Sequence, residues 1–377
     1  MATQKKIWAN STDSHWVEPE DLWRSQLPPA LAERMPRSVK SDDGLSETVY
    51  VDGLEIQRKL PNPKRQEFME ISGRPKGHSD VDQRLKDNDE EGIWAELVFP
   101  SLGMWNATFR DPELLKAAMR VSNDFAMSEV QAKSPRLQCT AQVSLLDVDD
   151  GIEEMRRAAE MGFTSIFMTT RPHPQQRDYN YNDVWEPFWA TAEELGLVLA
   201  FHIGTDPFDF SSTEIGIQFH GPGGAILNYT ETTYSGQRVA TKMVASGALD
   251  RHPELKILIA EGGSSWAPSL GDRMNEAYRQ HSMMVRPTLT TSPKELLYNQ
   301  VYTSFQHDET ATGTMIQFGY DKICWGSDYP HLEGTYGHTQ KTLHELFDDV
   351  PENVAKRITV DAYRELFPSV PAPPTEA

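Results

Sequence analysis

The sequence predicts a closed (β/α)8 barrel, and three observations lead there. From residue 90 onward, seven short β-rich runs alternate with longer helix-like stretches. An eighth β-like run stands near the N-terminus. No glycine-rich phosphate loop follows that first strand, so an open doubly wound sheet has no ligand site in the sequence.

The first strand is expected at 10–17 (NSTDSHWV). Segment 27–89, rich in Pro, Lys and Asp, reads as an insertion between strands one and two, with ETVYVDGLEIQRKL as a hairpin beside the barrel mouth. Further strands are expected at 94–99, 137–143, 164–168, 198–203, 256–260, 301–305 and 323–325. The intervening stretches, such as DPELLKAAMRVSNDFAMSEVQA and VDDGIEEMRRAAEMG, open on Asp, Asn or Gly and close on Gly or before Pro, as helices do. One barrel domain over 1–368 accounts for the chain. The tail at 369–377, ending VPAPPTEA, has too much Pro to fold alone and is expected to be flexible.

Composition narrows the partners. Of 377 residues, 38% are hydrophobic and nine are Trp, enough for a sizeable core. Thirty-six basic against fifty-six acidic residues give a net charge of −20, which repels nucleic acid and anionic membranes. Met1 to Ala9 carry no apolar signal region and no run approaches eighteen apolar residues, so a cytoplasmic location is expected. Cys139 and Cys324 lack neighbouring Cys or His at metal or redox spacing and read as core thiols.

Ligand-type residues recur where strands turn into loops. Asp13 and His15 end the first strand, and side-chain alternation points both into the barrel. His202 ends the fifth (LAFHIGT) and Asp328 the eighth (CWGSDYPH). In a closed barrel these ends share one face, where the active sites of this fold lie, so two imidazoles and two carboxylates meet there. Such a set suits Zn, Mn or Fe as a divalent ion. Trp16, Phe99, Trp266 and Tyr329 are expected to wall the mouth for a ring-bearing substrate.

The runs TDSHWVEPEDLW, LVLAFHIGT, ILIAEGGSSWAPSLGDRMNEAY and WGSDYPHLEGTYG resemble the amidohydrolase-related proteins, the group that includes aminocarboxymuconate-semialdehyde decarboxylase and γ-resorcylate decarboxylase. The resemblance covers most of the chain outside the insertion and tail. It implies that Asp13, His15, His202 and Asp328 hold the metal. Two positions depart from the decarboxylase pattern: Asp13 stands where His or Glu is usual, and Glu261 where a His used in the chemistry is usual. The fourth strand, TSIFMTT, also lacks the lysine carbamylated in binuclear hydrolases.

One ion is therefore the leading expectation. A second is conceivable, because Glu261, His307 and His331 are placed to gather beside the first. Glu18 and Glu96 read as caps or ion-pair partners, and His220 as part of a lid loop. The first functional reading is hydrolysis of a small molecule by metal-activated water, with Asp328 or Glu261 moving the proton and His331 orienting Asp328 or touching substrate. Non-oxidative decarboxylation follows closely. A dinuclear iron or manganese oxygen-activating enzyme and a non-catalytic subunit are further alternatives. A homodimer, or assembly with a paralogous subunit, is expected.

Overall fold

The computed structural model describes residues 5–59, 75–207 and 222–374. Twelve strands are present in these residues: β1 (Ala9–Trp16), β2 (Arg37–Lys40), β3 (Ser46–Val51), β4 (Leu54–Lys59), β5 (Ile93–Pro100), β6 (Leu137–Cys139), β7 (Ala141–Gln142), β8 (Ser165–Thr169), β9 (Val198–His202), β10 (Ile257–Ala260), β11 (Val301–Phe305) and β12 (Ile323–Trp325). β1, β5 and β6 pair in parallel, as do β7 through β12 in sequence order. β6 and β7 are one barrel strand interrupted at Thr140, whose amide still donates to Val98 O at 3.0 Å. The end of β12 returns to β1 through Asp328 N to Asp13 O (2.8 Å) and His15 N to Tyr329 O (2.6 Å). Eight parallel strands thus run around the barrel.

Period-two alternation sorts the side chains. Ala95, Leu97 and Phe99 of β5, Val198 and Ala200 of β9, and Leu258 and Ala260 of β10 fill the interior. The residues between them, including Val98, Leu199 and Ile259, face the surrounding helices. Those helices begin and end as their sequences suggest. Asp80, Asp111 and Asp147 cap 81–91, 112–125 and 148–161, and Gly92 and Gly162 close the first and third in left-handed conformation.

Three expectations need adjustment. The predicted hairpin is β3–β4, turning on Asp52 and Gly53 at positive φ, but β2 joins it to make a three-stranded antiparallel sheet. The insertion also ends earlier than residue 89, because the helix Val81–Glu91 packs on β5 as part of the barrel wall. Finally, the tail is held at its start: Val370 is buried with Tyr363, Leu366 and Phe367 in a plug closing the barrel floor, and Trp94 Nε1 donates to Pro371 O at 2.8 Å. Four apolar side chains outweigh the prolines that follow them. Among the described residues, no helix is long and apolar enough to cross a membrane.

Candidate metal centre

At the C-terminal rim, Asp13, His15, His202 and Asp328 meet, each 3% exposed or less. His15 Nε2 lies 3.5 Å from Asp13 Oδ1 and 3.4 Å from Asp328 Oδ1, and His202 Nε2 lies 3.3 Å from Asp13 Oδ1. Both imidazoles turn Nδ1 outward to backbone carbonyls, His202 to Ile203 O at 2.7 Å and His15 to Pro100 O at 3.5 Å. A proton on each Nδ1 satisfies those carbonyls and leaves the Nε2 lone pairs aimed inward.

This arrangement passes a test for a cation. Among the described residues, Asp13 Oδ2 and Asp328 Oδ2 are buried with no polar partner, and His15 Nε2 and Asp328 Oδ1 meet only imidazole and carboxylate groups of this same cluster. Four such atoms converging in a protein interior are costly unless something positive sits between them. Proteins place this burden at sites that function. Asp13, His15 and His202 form one potential ligand group, and His15, Asp328 and His331 a second sharing His15.

The charges respond accordingly. Burial pushes the Asp13 carboxyl up, but the His202 charge and hydrogen bonding from both histidines overcome it and hold it well below the usual carboxylate range. Burial likewise opposes charge on His15, yet Asp13 and Asp328 together raise it to about 10. The carboxylates thus favour positive charge at both imidazoles, as they would favour a cation held among them. A dication held by these residues would favour the neutral imidazoles instead.

Glu261 follows β10 and looks into the same space, with its Oε2 3.9 Å from His202 Nδ1. Burial, Asp328 and Asp13 raise its carboxyl, the His202 charge acting against them, and it stands at about 8. Both Glu261 (φ 61°) and Asp328 (φ 53°) are left-handed, a conformation that costs about 1–2 kcal/mol in a non-glycine residue. Strained positions of this kind cluster at functional sites, and the two carboxylates fall within one potential ligand group.

His331 Nδ1 lies 2.8 Å from Asp328 Oδ1, and its ring stacks on His15 at 4.1 Å. The expected second-ion set of Glu261, His307 and His331 is not what gathers. His307 is exposed, with its Nε2 3.4 Å from the backbone oxygen of Glu333, whereas Glu261, Asp328 and Glu333 form the third ligand group. Glu333 escaped the sequence reading. Its signal was a carboxylate two residues beyond His331 in a loop without periodicity.

Of the four aromatics expected at the mouth, Phe99 stands beside the imidazoles, 4.7 Å from the His202 ring. Trp16 and Tyr329 do not join it. Trp16 is the neighbour of His15 on a strand, so alternation sends its ring to the outer core with Val98 and Cys139. Tyr329 is 1% exposed and donates its hydroxyl to Asp87 at 2.6 Å. Trp266 packs against the outer core, its Nε1 bonded to Gly262 O at 2.9 Å.

Glu18 and Glu96 hold structural posts. The Glu18 carboxylate accepts the amides of Ser101, Leu102 and Gly103, and Glu96 pairs with Arg84. Burial pushes both cysteine thiols up to about 12, as inert core residues. His220 lies outside the described residues.

One glycine is indispensable to the geometry. A Cβ on Gly326 would lie 2.7 Å from Asp13 Cβ and 3.3 Å from its amide nitrogen. Gly326→Ala should therefore displace Asp13 and weaken Mn2+ binding at least roughly 10-fold, the scale seen when a ligand's support is lost. Titration of the folded variant with Mn2+ checks this.

Comparison with known proteins agrees with the barrel. The amidohydrolase family model matches residues 90–368. The γ-resorcylate decarboxylase of Rhodococcus jostii (strain RHA1) is 26% identical over 265 residues, covering 66% of this chain and 77% of its own. An amidohydrolase from Mycobacterium avium subsp. paratuberculosis K-10 superposes with a TM-score of 0.76 at 21% identity, over 96% of this chain and all of the other. A dihydroxybenzoic acid decarboxylase from Polaromonas sp. JS666, with bound manganese and 2-nitroresorcinol, superposes with a TM-score of 0.63 at 18% identity, over 97% and 98%. The eight-stranded barrel and a family match across most of its length lead to one conclusion: this chain is an enzyme of the amidohydrolase family.

Proposed function

We propose that the protein is a metal-dependent decarboxylase of a small aromatic carboxylate. The observation that carries the metal requirement is the buried cluster of imidazole and carboxylate atoms on Asp13, His15, His202 and Asp328, two ligand groups joined through His15. Two imidazoles and two carboxylates suit Mn2+, Zn2+ or Fe2+. When bound, such an ion supplies Lewis-acid polarisation and a fixed point for an anionic oxygen.

Decarboxylation displaces hydrolysis as the preferred reading because curated relatives over most of this chain are decarboxylases. The replacement of the family His by Glu261 fits this chemistry in its own way. Loss of carbon dioxide leaves an electron pair on the ring carbon, which needs a proton at that face. We assign that proton to Glu261, whose carboxylate lies 3.9 Å from His202 and in one group with Asp328. Phe99 offers the ring an apolar wall beside His202, and His331 steadies Asp328.

Manganese-loaded protein incubated with a panel of hydroxybenzoates should release carbon dioxide from at least one. Ester or amide cleavage with no carbon dioxide from any acid would return hydrolysis to first place. A second reading, two ions, is favoured by the convergence of Glu261, Asp328 and Glu333. It predicts two metal equivalents per chain and oxygen consumption.

A further inference from the structure

Behind the metal centre, on the outer side of the barrel wall, a guanidinium is sealed from solvent. Arg84 of the helix Val81–Glu91 and Glu96 of β5 are both 0% exposed. Arg84 Nε lies 2.7 Å from Glu96 Oε2, and its Nη1 donates to the carbonyl of His15 at 2.8 Å. The guanidinium carbon also lies over the Tyr329 ring at 4.8 Å and over the Trp16 ring at 5.9 Å from the centroids, within cation–π range. Tyr329 in turn donates to Asp87, one turn along the helix, and Gln83 donates to the other Asp87 oxygen at 2.7 Å.

The identities of the gripped residues give this arrangement its meaning. His15 is a proposed ligand, and Trp16 follows it in the chain. Tyr329 follows Asp328, another proposed ligand, and its carbonyl accepts from the His15 amide. One helix therefore fastens the ends of β1 and β12 together at the two residues that bring His15 and Asp328 to the centre. A fully buried ion pair is weak evidence for stability, since well-packed apolar residues commonly do as well or better. What Arg84 provides and an apolar residue lacks is a rigid fork that reaches Glu96 and the His15 carbonyl at once.

We propose that Arg84 is a positioning residue for the metal centre, holding the His15 and Asp328 segments in register through the His15 carbonyl and the Tyr329 ring. The inference rests on the reading of this site as a metal centre. Outer partners of metal ligands typically govern affinity by about 10–100-fold. Loss of the fork should act in that range without removing any ligand.

The test measures Mn2+ affinity by competition with a chelator, alongside circular dichroism, for wild type, Arg84→Lys, Arg84→Met and the pair Arg84→Met with Glu96→Met. The pair removes both buried charges, so it keeps the test alive if Arg84→Met alone does not fold. Folded variants should bind Mn2+ about 10–100-fold more weakly, with lysine failing to restore wild-type affinity and any lost activity returning at excess Mn2+. Wild-type affinity in the folded pair would overturn the proposal and leave Arg84 a structural residue. Absence of Mn2+ binding by the wild type would instead overturn the metal reading beneath it.

Discussion

Asp328→Ala should abolish tight metal binding while leaving the barrel folded. Asp328 is 0% exposed, and among the described residues its carboxylate meets only the imidazoles of His15 and His331, so the folded chain loses contacts within the site and none to the barrel wall. It lies in two of the three ligand groups, the one with His15 and His331 and the one with Glu261 and Glu333. Its removal should thus cost more than the roughly 100-fold that loss of an outer partner causes. The left-handed backbone at this position is already borne by Asp328, so alanine there inherits a penalty of about 1–2 kcal/mol that the wild type largely carries too. His202→Ala should behave alike, because its Nε2 faces Asp13 and its Nδ1 bonds only a backbone oxygen. Metal content of the purified variants is the readout, and full occupancy in Asp328→Ala would remove it from the ligand set.

Glu261→Gln separates proton transfer from metal binding. Glutamine preserves the size and left-handed placement of the side chain but can neither carry nor surrender the acid proton. With one ion held by the other four residues, metal content should stay at the wild-type level and kcat should fall by about 10²–10⁴, the usual worth of a positioned acid or base. KM should change little, since the loss falls on the transition state. Unchanged kcat would dismiss Glu261 from the chemistry. Loss of a metal equivalent would place it among ligands, as the grouping with Asp328 and Glu333 allows.

Much of this site was legible because barrel strands write their orientation into alternation. The Asp-x-His pair at 13 and 15, the His202 ending an apolar run and the Asp328 after Gly326 fall on one face by sequence alone. The same rule, carried one residue further, would have turned Trp16 away from the mouth. Its aromatic character suggested a pocket wall, whereas its position beside His15 sends it outward. Tyr329 was harder. It follows a left-handed residue in a loop, where no period fixes a direction, and its partner Asp87 lies 242 positions away.

One further miss shares that cause. Glu333 sits in the same loop, and its meeting with Glu261 depends on tertiary structure alone. Glu96 was legible as an ion-pair partner, but its mate Arg84, on the helix behind β5, was not. The floor plug was hidden by composition. Prolines dominate the end of the chain, yet Leu366, Phe367 and Val370 just before them supply the apolar contacts that hold it.

The central claim, a metal-dependent active site built from Asp13, His15, His202 and Asp328, is tested most directly by metal content per chain. Protein expressed with manganese, iron and zinc in the medium and purified without chelators would be assayed by plasma mass spectrometry. The account predicts about one divalent ion per chain, with two pointing to the Glu261, Asp328 and Glu333 group as a second site. No bound metal in folded protein, and none taken up on titration, would contradict it.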